Sequence, residues 1–132
     1  MQSIKEASCS CGQLSARVEG DPVRISVCHC LACQKRTGST FGVQVRYPRE
    51  RVQVTGPFSE YMRVADSGNR IRFQFCPTCA SIICYHLEGL EGFVGIPVGV
   101  FADPAFPPPG VSVYEERKHA WVGLPVEIEH IN

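Results

Sequence analysis

The chain has 132 residues, which indicates one domain, and its thirteen basic residues balance thirteen acidic ones, so that the formal net charge is zero. No basic block stands out that could follow a phosphate backbone, which argues against a nucleic-acid partner. The apolar stretches are broken by glycine, proline or charge within about ten residues, far short of the roughly 20 that a membrane helix needs.

Short strands are the first expectation, because twelve glycines and ten prolines are more typical of strands joined by turns than of helices. Apolar residues alternate with polar ones in several runs, which is the pattern of a strand with one buried face. The runs in the first half of the chain cover residues 14–18, 23–27, 41–47 and 52–54. Residues 58–64 and 71–75 then flank a turn-compatible segment and predict a hairpin. The sequence therefore predicts an all-β fold.

The second half of the chain is less regular. Residues 81–86 and 93–101 predict a further pair of strands, and Pro97 marks the second of them as an edge or interrupted strand. The proline-rich segment 103–110 predicts a rigid surface connection, followed by a last strand at 111–114 and an irregular tail. The one predicted helical turn is 31–37, which Gly38 would end.

Seven of the eight cysteines fall into three tight clusters with the spacing of metal ligands. The clusters are Cys9 and Cys11, then Cys28, Cys30 and Cys33, then Cys76 and Cys79. These seven cysteines are one ligand short of the eight that two tetrahedral zinc ions would need. A closed structural zinc site has four protein ligands, whereas a reactive site has three and leaves one position for water or substrate. The number of cysteines therefore predicts one zinc site of each kind.

A disulfide framework is the alternative interpretation of an even number of cysteines in a short chain. The first seven residues lack an apolar segment that would direct secretion, so a reducing, cytoplasmic location is expected. Cysteines one residue apart are also poorly placed to bridge each other. Metal binding is the favoured interpretation.

The two predicted zinc sites have different consequences. Cys9 and Cys11 paired with Cys76 and Cys79 would join distant parts of the chain in a closed, structural site. The cluster formed by Cys28, Cys30 and Cys33 would hold a second ion with an open position, and its expected chemistry is activation of an external thiol. Three side chains stay open as a fourth ligand that would close this second site, namely His29, Cys84 and His86. Cys84 is expected to be a small buried residue instead, and His29 is expected either to support the site without ligating or to face solvent.

The order of these motifs resembles the glutathione-dependent formaldehyde-activating enzyme family, which also includes centromere protein V. The resemblance covers roughly residues 8–125. It is carried by Cys9-x-Cys11-Gly12, Cys28-His29-Cys30-x-x-Cys33-Gln34-Lys35-x-Thr37-Gly38-Ser39, Phe75-Cys76-x-x-Cys79, and the late Glu115, Trp121 and Gly123-Leu124-Pro125.

The resemblance implies a β-tent fold in a single domain spanning 1–132. It also implies two zinc ions, one structural at Cys9, Cys11, Cys76 and Cys79 and one catalytic at Cys28, Cys30 and Cys33. The activity it implies is that of a carbon–sulfur lyase, which joins formaldehyde to the thiol of glutathione and so gives S-hydroxymethylglutathione. Glutathione or a similar thiol and a small aldehyde are thus the expected partners, and neither nucleic acid nor membrane is expected.

One departure from the family pattern is Ala80, which stands where the family usually has glycine; if this residue has a positive φ, the alanine is strained. The predicted substrate contacts are Gln34, Lys35 and Thr37, with Lys35 placed to meet a carboxylate. Arg36 is expected to be a solvated surface charge, and Trp121 is expected to cover the core. A non-catalytic binding module in which both ions are structural is the alternative function.

Overall fold

The structure, a computed structural model, describes residues 3–131 and is built mainly from short strands. The strands are β1 Ile4–Ser8, β2 Ser15–Glu19, β3 Arg24–Cys28, β4 Gly42–Pro48, β5 Val52–Thr55, β6 Ser59–Val64, β7 Arg70–Phe75, β8 Ile82–Leu87, β9 Phe93–Pro97, β10 Val111–Val113 and β11 Glu129–Ile131. One α-helix, α1, covers Leu31–Thr37. Short 3₁₀ helices cover Arg49–Arg51, Val98–Phe101 and Glu115–Arg117.

The strands form two open sheets. The smaller sheet is antiparallel with the order β1-β2-β5, and the larger one has the order β11-β10-β3-β4-β9-β8-β7-β6. In the larger sheet β10 runs parallel to both β3 and β11, and the other pairs are antiparallel. The predicted all-β, β-tent class is confirmed.

The hydrophobic core lies between the two sheets, on one face of each. Because side chains alternate along a strand, each inner face presents every second residue. The small sheet and the loop between β1 and β2 contribute Ala7, Leu14, Ala16 and Val18, and the large sheet contributes Val45, Tyr47, Cys84, Val94 and Ile96. The opposite face of the large sheet is thereby left for α1 and the second cysteine cluster.

The predicted hairpin and helix are confirmed. The chain turns between β6 and β7 through residues 65–69, where the Ala65 amide donates to the Asn69 carbonyl over 2.8 Å. Helix α1 begins after Cys30 and ends at Gly38, whose φ of 73° is the left-handed conformation expected of a C-terminal glycine. None of the helices described between residues 3 and 131 has the length and apolar character needed to cross a membrane.

Two expectations about the second half of the chain are corrected. The run 93–101 is interrupted, as one of the two alternatives for Pro97 predicts, because β9 ends at Pro97 and the 3₁₀ helix Val98–Phe101 follows. The other alternative, an edge position, is wrong, since β9 lies between β4 and β8. Trp121 does not cover the core: it is 73 % exposed and packs edge-on against His119. The tail is irregular through Pro125 as predicted, but it ends in the short strand β11.

Candidate metal centres

The first centre is formed by Cys9 and Cys11, which follow β1, and by Cys76 and Cys79, which follow β7. Their four Sγ atoms all lie within 4.8 Å of one another. The Sγ atom of Cys11 is 3.6 Å from those of both Cys9 and Cys76. A tetrahedral zinc ion with bonds of about 2.3 Å places neighbouring sulfurs about 3.8 Å apart. The four sulfurs therefore fit a closed zinc site, as the sequence predicts, and we call them the quartet.

Hydrogen-bond donors to Cys76 and Cys79 favour the thiolate forms of these two members of the quartet. Cys76 Sγ accepts from the Gln13 side-chain amide at 3.1 Å and from the Thr78 and Cys79 amides at 3.4 and 3.5 Å. The hydrogen bond with the Ser81 hydroxyl and nearby backbone amides lower the pKa of Cys79 to about 5. Such donors to sulfur orient the ligands of a metal site and tune its charge.

The turn between Cys76 and Cys79 ends at Ala80, whose φ is 68°, so the condition under which alanine is strained at this position is met. The Ala80 amide donates to the Cys76 carbonyl at 2.8 Å, and the Cys76 amide donates to the Ser81 carbonyl at 3.0 Å. These two bonds close the turn in which Ala80 has its positive φ. Alanine is therefore held in a strained conformation beside a metal ligand.

Replacing Ala80 with glycine is expected to stabilise the protein by about 1 kcal/mol, because relief of the left-handed strain exceeds the entropy that glycine adds to the unfolded chain. Thermal unfolding of the zinc-loaded protein measures the change. Ala105→Gly is the matched control, since Ala105 is also exposed but has no positive φ. It should be neutral or slightly destabilising, and equal shifts for both variants would contradict the strain argument.

The second centre, which we call the triad, is built where β3 meets α1. Cys28 is the last residue of β3, Cys30 is the N-cap of α1 and Cys33 lies in its first turn. The three Sγ atoms lie within 4.8 Å of one another. The Cys30 sulfur accepts the Cys33 amide at 3.3 Å, so it caps the helix as well as facing the other two sulfurs.

No fourth ligand joins the triad among residues 3–131. Cys84 is fully buried, as expected, and its thiol donates to the Gln74 side-chain oxygen at 3.1 Å, while burial raises its pKa to about 12. His29 is fully buried and its Nε2 atom lies 3.1 Å from the Ser112 hydroxyl. His86 lines a separate cavity of about 460 Å³ on the other face of the large sheet. Each side chain that the sequence left open as a fourth ligand is thus engaged or placed elsewhere.

Two side chains whose contact with the triad was not predicted donate to Cys33. Arg36 Nη2 and Gln44 Nε2 lie 3.8 and 3.7 Å from Cys33 Sγ. Both cross above Gly42, where a Cβ atom would lie 2.9 Å from the first nitrogen and 2.7 Å from the second. Arg36 is also half-buried, with its guanidinium 5.4 Å from the centre of the Phe73 ring, so the expectation of a solvated charge is wrong. This contact could have been predicted from the sequence, because residues three positions apart on a helix, such as Cys33 and Arg36, are neighbours on its surface.

The protonation of the triad follows from these contacts. The hydrogen bond from Cys28, together with the charge and hydrogen bond of Arg36, outweighs burial and lowers the pKa of Cys33 to about 5. The same hydrogen bond and burial raise the pKa of Cys28. One sulfur is thus prepared as a thiolate and another retains its proton until a cation replaces it. A set of three soft sulfur ligands suits zinc.

The three predicted substrate contacts have different surroundings. The Gln34 side-chain amide donates to the carbonyls of His29 and Arg117 at 2.9 and 3.2 Å, and its oxygen lies 3.1 Å from His119 Nε2. The Thr37 hydroxyl donates to the Cys33 carbonyl at 2.9 Å. Lys35 is exposed, and no carboxylate of the described residues lies within 4 Å of its ammonium group. Gln34 and Thr37 therefore hold the triad loop, whereas Lys35 is available to a ligand.

Tyr85 forms part of the same sheet face as the triad. Its ring lies over Gly95 of the neighbouring strand, where a Cβ atom would be 2.1 Å from the phenol carbon. Burial raises the pKa of Tyr85 to about 12, although the charges of Arg36 and Arg46 oppose this effect. The phenol is therefore neutral at physiological pH and can donate a hydrogen bond on this face.

Comparisons with known proteins agree with this geometry. The family model described as glutathione-dependent formaldehyde-activating enzyme matches residues 4–117. The fold is similar to the crystal structure of a Rhodobacter sphaeroides protein, with a TM-score of 0.58 and 16 % identity, over 78 % of this chain and 91 % of that one. At that identity the similarity concerns the fold alone. No curated protein matches the chain.

Proposed function

Because the chain belongs to the glutathione-dependent formaldehyde-activating enzyme family, we propose that it is a zinc-dependent enzyme of the carbon–sulfur lyase type. It adds a glutathione-like thiol to formaldehyde or a related small aldehyde. The observation that carries the proposal is the triad itself, in which three sulfurs converge and no fourth protein ligand joins them among residues 3–131. We further propose that residues 1–132 form one zinc-binding domain and that it acts in the cytoplasm.

The proposed reaction forms one bond and moves one proton. The sulfur of the thiol attacks the aldehyde carbon, so that a carbon–sulfur bond forms while the π bond of the carbonyl breaks. The proton lost by the thiol ends on the former carbonyl oxygen, and the product is a hemithioacetal, which for glutathione and formaldehyde is S-hydroxymethylglutathione. Zinc held by Cys28, Cys30 and Cys33 would lower the pKa of an incoming thiol, which keeps it as a thiolate at neutral pH.

The chain's own residues prepare this chemistry. Arg36 and Gln44 donate to Cys33 and thereby fix the sulfur and offset part of its negative charge. Tyr85 presents a neutral phenol on the same sheet face. Of the predicted substrate contacts, Lys35 is the one whose charged end is free to reach a substrate carboxylate, and Gln34 and Thr37 stay predictions with a positioning role.

The proposal is tested by the rate at which the zinc-loaded protein interconverts ¹³C-labelled formaldehyde and S-hydroxymethylglutathione. Exchange NMR is the suitable measurement, because thiols and formaldehyde also combine without a catalyst. We expect exchange above the uncatalysed rate, and we expect the acceleration to disappear when zinc is removed. If exchange in the presence of the protein is no faster than the uncatalysed reaction, both for glutathione and for a panel of other thiols and small aldehydes, the proposed activity is refuted.

A zinc-stabilised module without turnover predicts a different metal environment. With a closed quartet and an open triad, X-ray absorption at the zinc edge should give an average of about 3.5 sulfurs and a lighter atom, and added glutathione should raise the average toward four. A module with two structural ions instead requires a metal environment that does not change when thiol is added. The measurement needs no turnover, so it separates the two functions even if the substrate is unknown.

A further inference from the structure

The sheet face that carries Cys28 also carries two facing arginines. Side chains alternate along a strand, so Arg24 and Cys28 share one face of β3, four residues apart. On β4 the residues opposite them are Arg46 and Gly42, which face the same side. We call this side of the large sheet the cysteine face.

Contacts of α1 confirm which side this is. Gln44, which shares the face with Arg46, reaches Cys33 of the helix, and Arg36 of the helix lies over Phe73. Arg46 is opposite Gly95, over which the Tyr85 ring lies. The two facing arginines therefore belong to the surroundings of the triad and not to the core side of the sheet.

The charges of these arginines are not balanced by the protein. Arg24 and Arg46 are directly opposite each other on neighbouring strands, and like charges in that arrangement destabilise a sheet. Both are half-buried, and within residues 3–131 no carboxylate oxygen lies within 4 Å of either. The Arg24 Nε atom is buried without a hydrogen-bond partner. By contrast, Arg70 and Arg72 on the other face each pair with a glutamate.

The separation of the arginines from the triad sets the size of a ligand that could reach both. Four residues of strand place the Arg24 and Cys28 Cα atoms about 13 Å apart. The long arginine side chains shorten that gap, and an extended tripeptide spans about 10 Å. A thiol of tripeptide size with a terminal carboxylate can therefore reach from the triad to the arginines, whereas a two-carbon thiol cannot.

We propose that Arg24 and Arg46 form a carboxylate-binding subsite that selects peptide-sized, anionic thiols for the triad. This inference rests on the proposed function, because it assumes that the sulfur of the ligand lies at the triad. A guanidinium binds a carboxylate through two parallel hydrogen bonds, which are stronger than neutral ones. The bound carboxylate would also offset the repulsion between the two arginines.

Binding of glutathione and of glutathione diethyl ester to the zinc-loaded protein tests the subsite without any aldehyde. The ester retains the thiol and the peptide but lacks both carboxylates. In calorimetric titrations we expect Arg24→Gln and Arg46→Gln each to weaken glutathione binding by about tenfold and to leave ester binding unchanged. Arg46→Lys should retain part of the preference for the acid. Arg17→Gln, on the exposed side of β2, is the control and should bind both ligands like the wild type.

The outcomes separate the subsite from the enzyme activity. The subsite is refuted if Arg46→Gln binds glutathione as tightly as the wild type, if the variants lose acid and ester equally, or if the wild type shows no preference for the acid. Zinc content and thermal unfolding establish whether each variant is folded. We expect the variants to fold, because each substitution removes one of two charges that repel each other. A wild type that prefers the acid but does not accelerate formation of the hemithioacetal would refute the proposed activity and keep the subsite.

Discussion

Cys76→Ser is expected to unfold the protein at physiological temperature. Cys76 is fully buried and its sulfur belongs to the quartet, which ties the loop after β1 to the loop after β7. Structural zinc supplies an apparent free energy of folding of about 10–16 kcal/mol near neutral pH, whereas a whole domain is stable by only about 5–15 kcal/mol. Serine does not replace the thiolate, because a hydroxyl oxygen is not among the usual ligands of structural zinc.

Circular dichroism and zinc content after purification measure this effect. Cys84→Ser is the matched control, because Cys84 is equally buried but hydrogen-bonds to Gln74 instead of facing a cluster. It should lose about 1 kcal/mol and retain two zinc ions. A Cys76→Ser protein that unfolds at the temperature of the control would show that the quartet does not hold the fold together.

Cys30→Ser is expected to abolish turnover and to leave the fold largely intact. The triad loses one of three sulfurs, so its zinc is lost or bound too weakly to activate a thiol. The helix keeps its N-cap, because the serine hydroxyl can accept the hydrogen bond from the Cys33 amide. In the wild type this amide donates to the Cys30 sulfur. The variant therefore separates the chemistry from the local structure.

The exchange NMR rate, read together with thermal unfolding, checks this prediction. Cys30→Ala removes the cap as well as the ligand, so it should lose activity and in addition about 1 kcal/mol of stability. Cys84→Ser should retain activity. If Cys30→Ser turned over every candidate thiol at the wild-type rate, the triad would not be the reactive site.

The parts of the molecule that could be predicted from the sequence are those that depend on neighbouring residues. Alternation of apolar and polar residues predicted β2, β3 and β4, and the cysteine spacing predicted the quartet and the triad. The end of α1 followed from Gly38. Strand β1 has no such pattern, because only Ala7 of its five residues is buried. Its position is set by pairing with β2 and by the quartet that follows it.

The failures concern contacts between distant residues. Pro97 suggested an edge or an interrupted strand because its missing amide weakens a ladder; the interruption is observed, but the edge is wrong, since Pro97 as the last residue of β9 breaks no central pairing. The parallel pairing of β10 with β3 was not predicted, since no local pattern states which strands are neighbours. Trp121 shows that a large apolar side chain can be exposed, and Arg36 that a charged one can be half-buried beside a sulfur.

The two candidate zinc centres differ in the length of chain that must be ordered to bring their sulfurs together. The triad lies within residues 28–33, whereas the quartet joins positions 11 and 76. Closing the larger loop costs about 2 kcal/mol more entropy in an unfolded chain, since the cost grows with the logarithm of loop length. When zinc is scarce, a newly synthesised chain is thus expected to load the triad before the quartet. Zinc supply would then decide whether the protein folds, and not only whether it works.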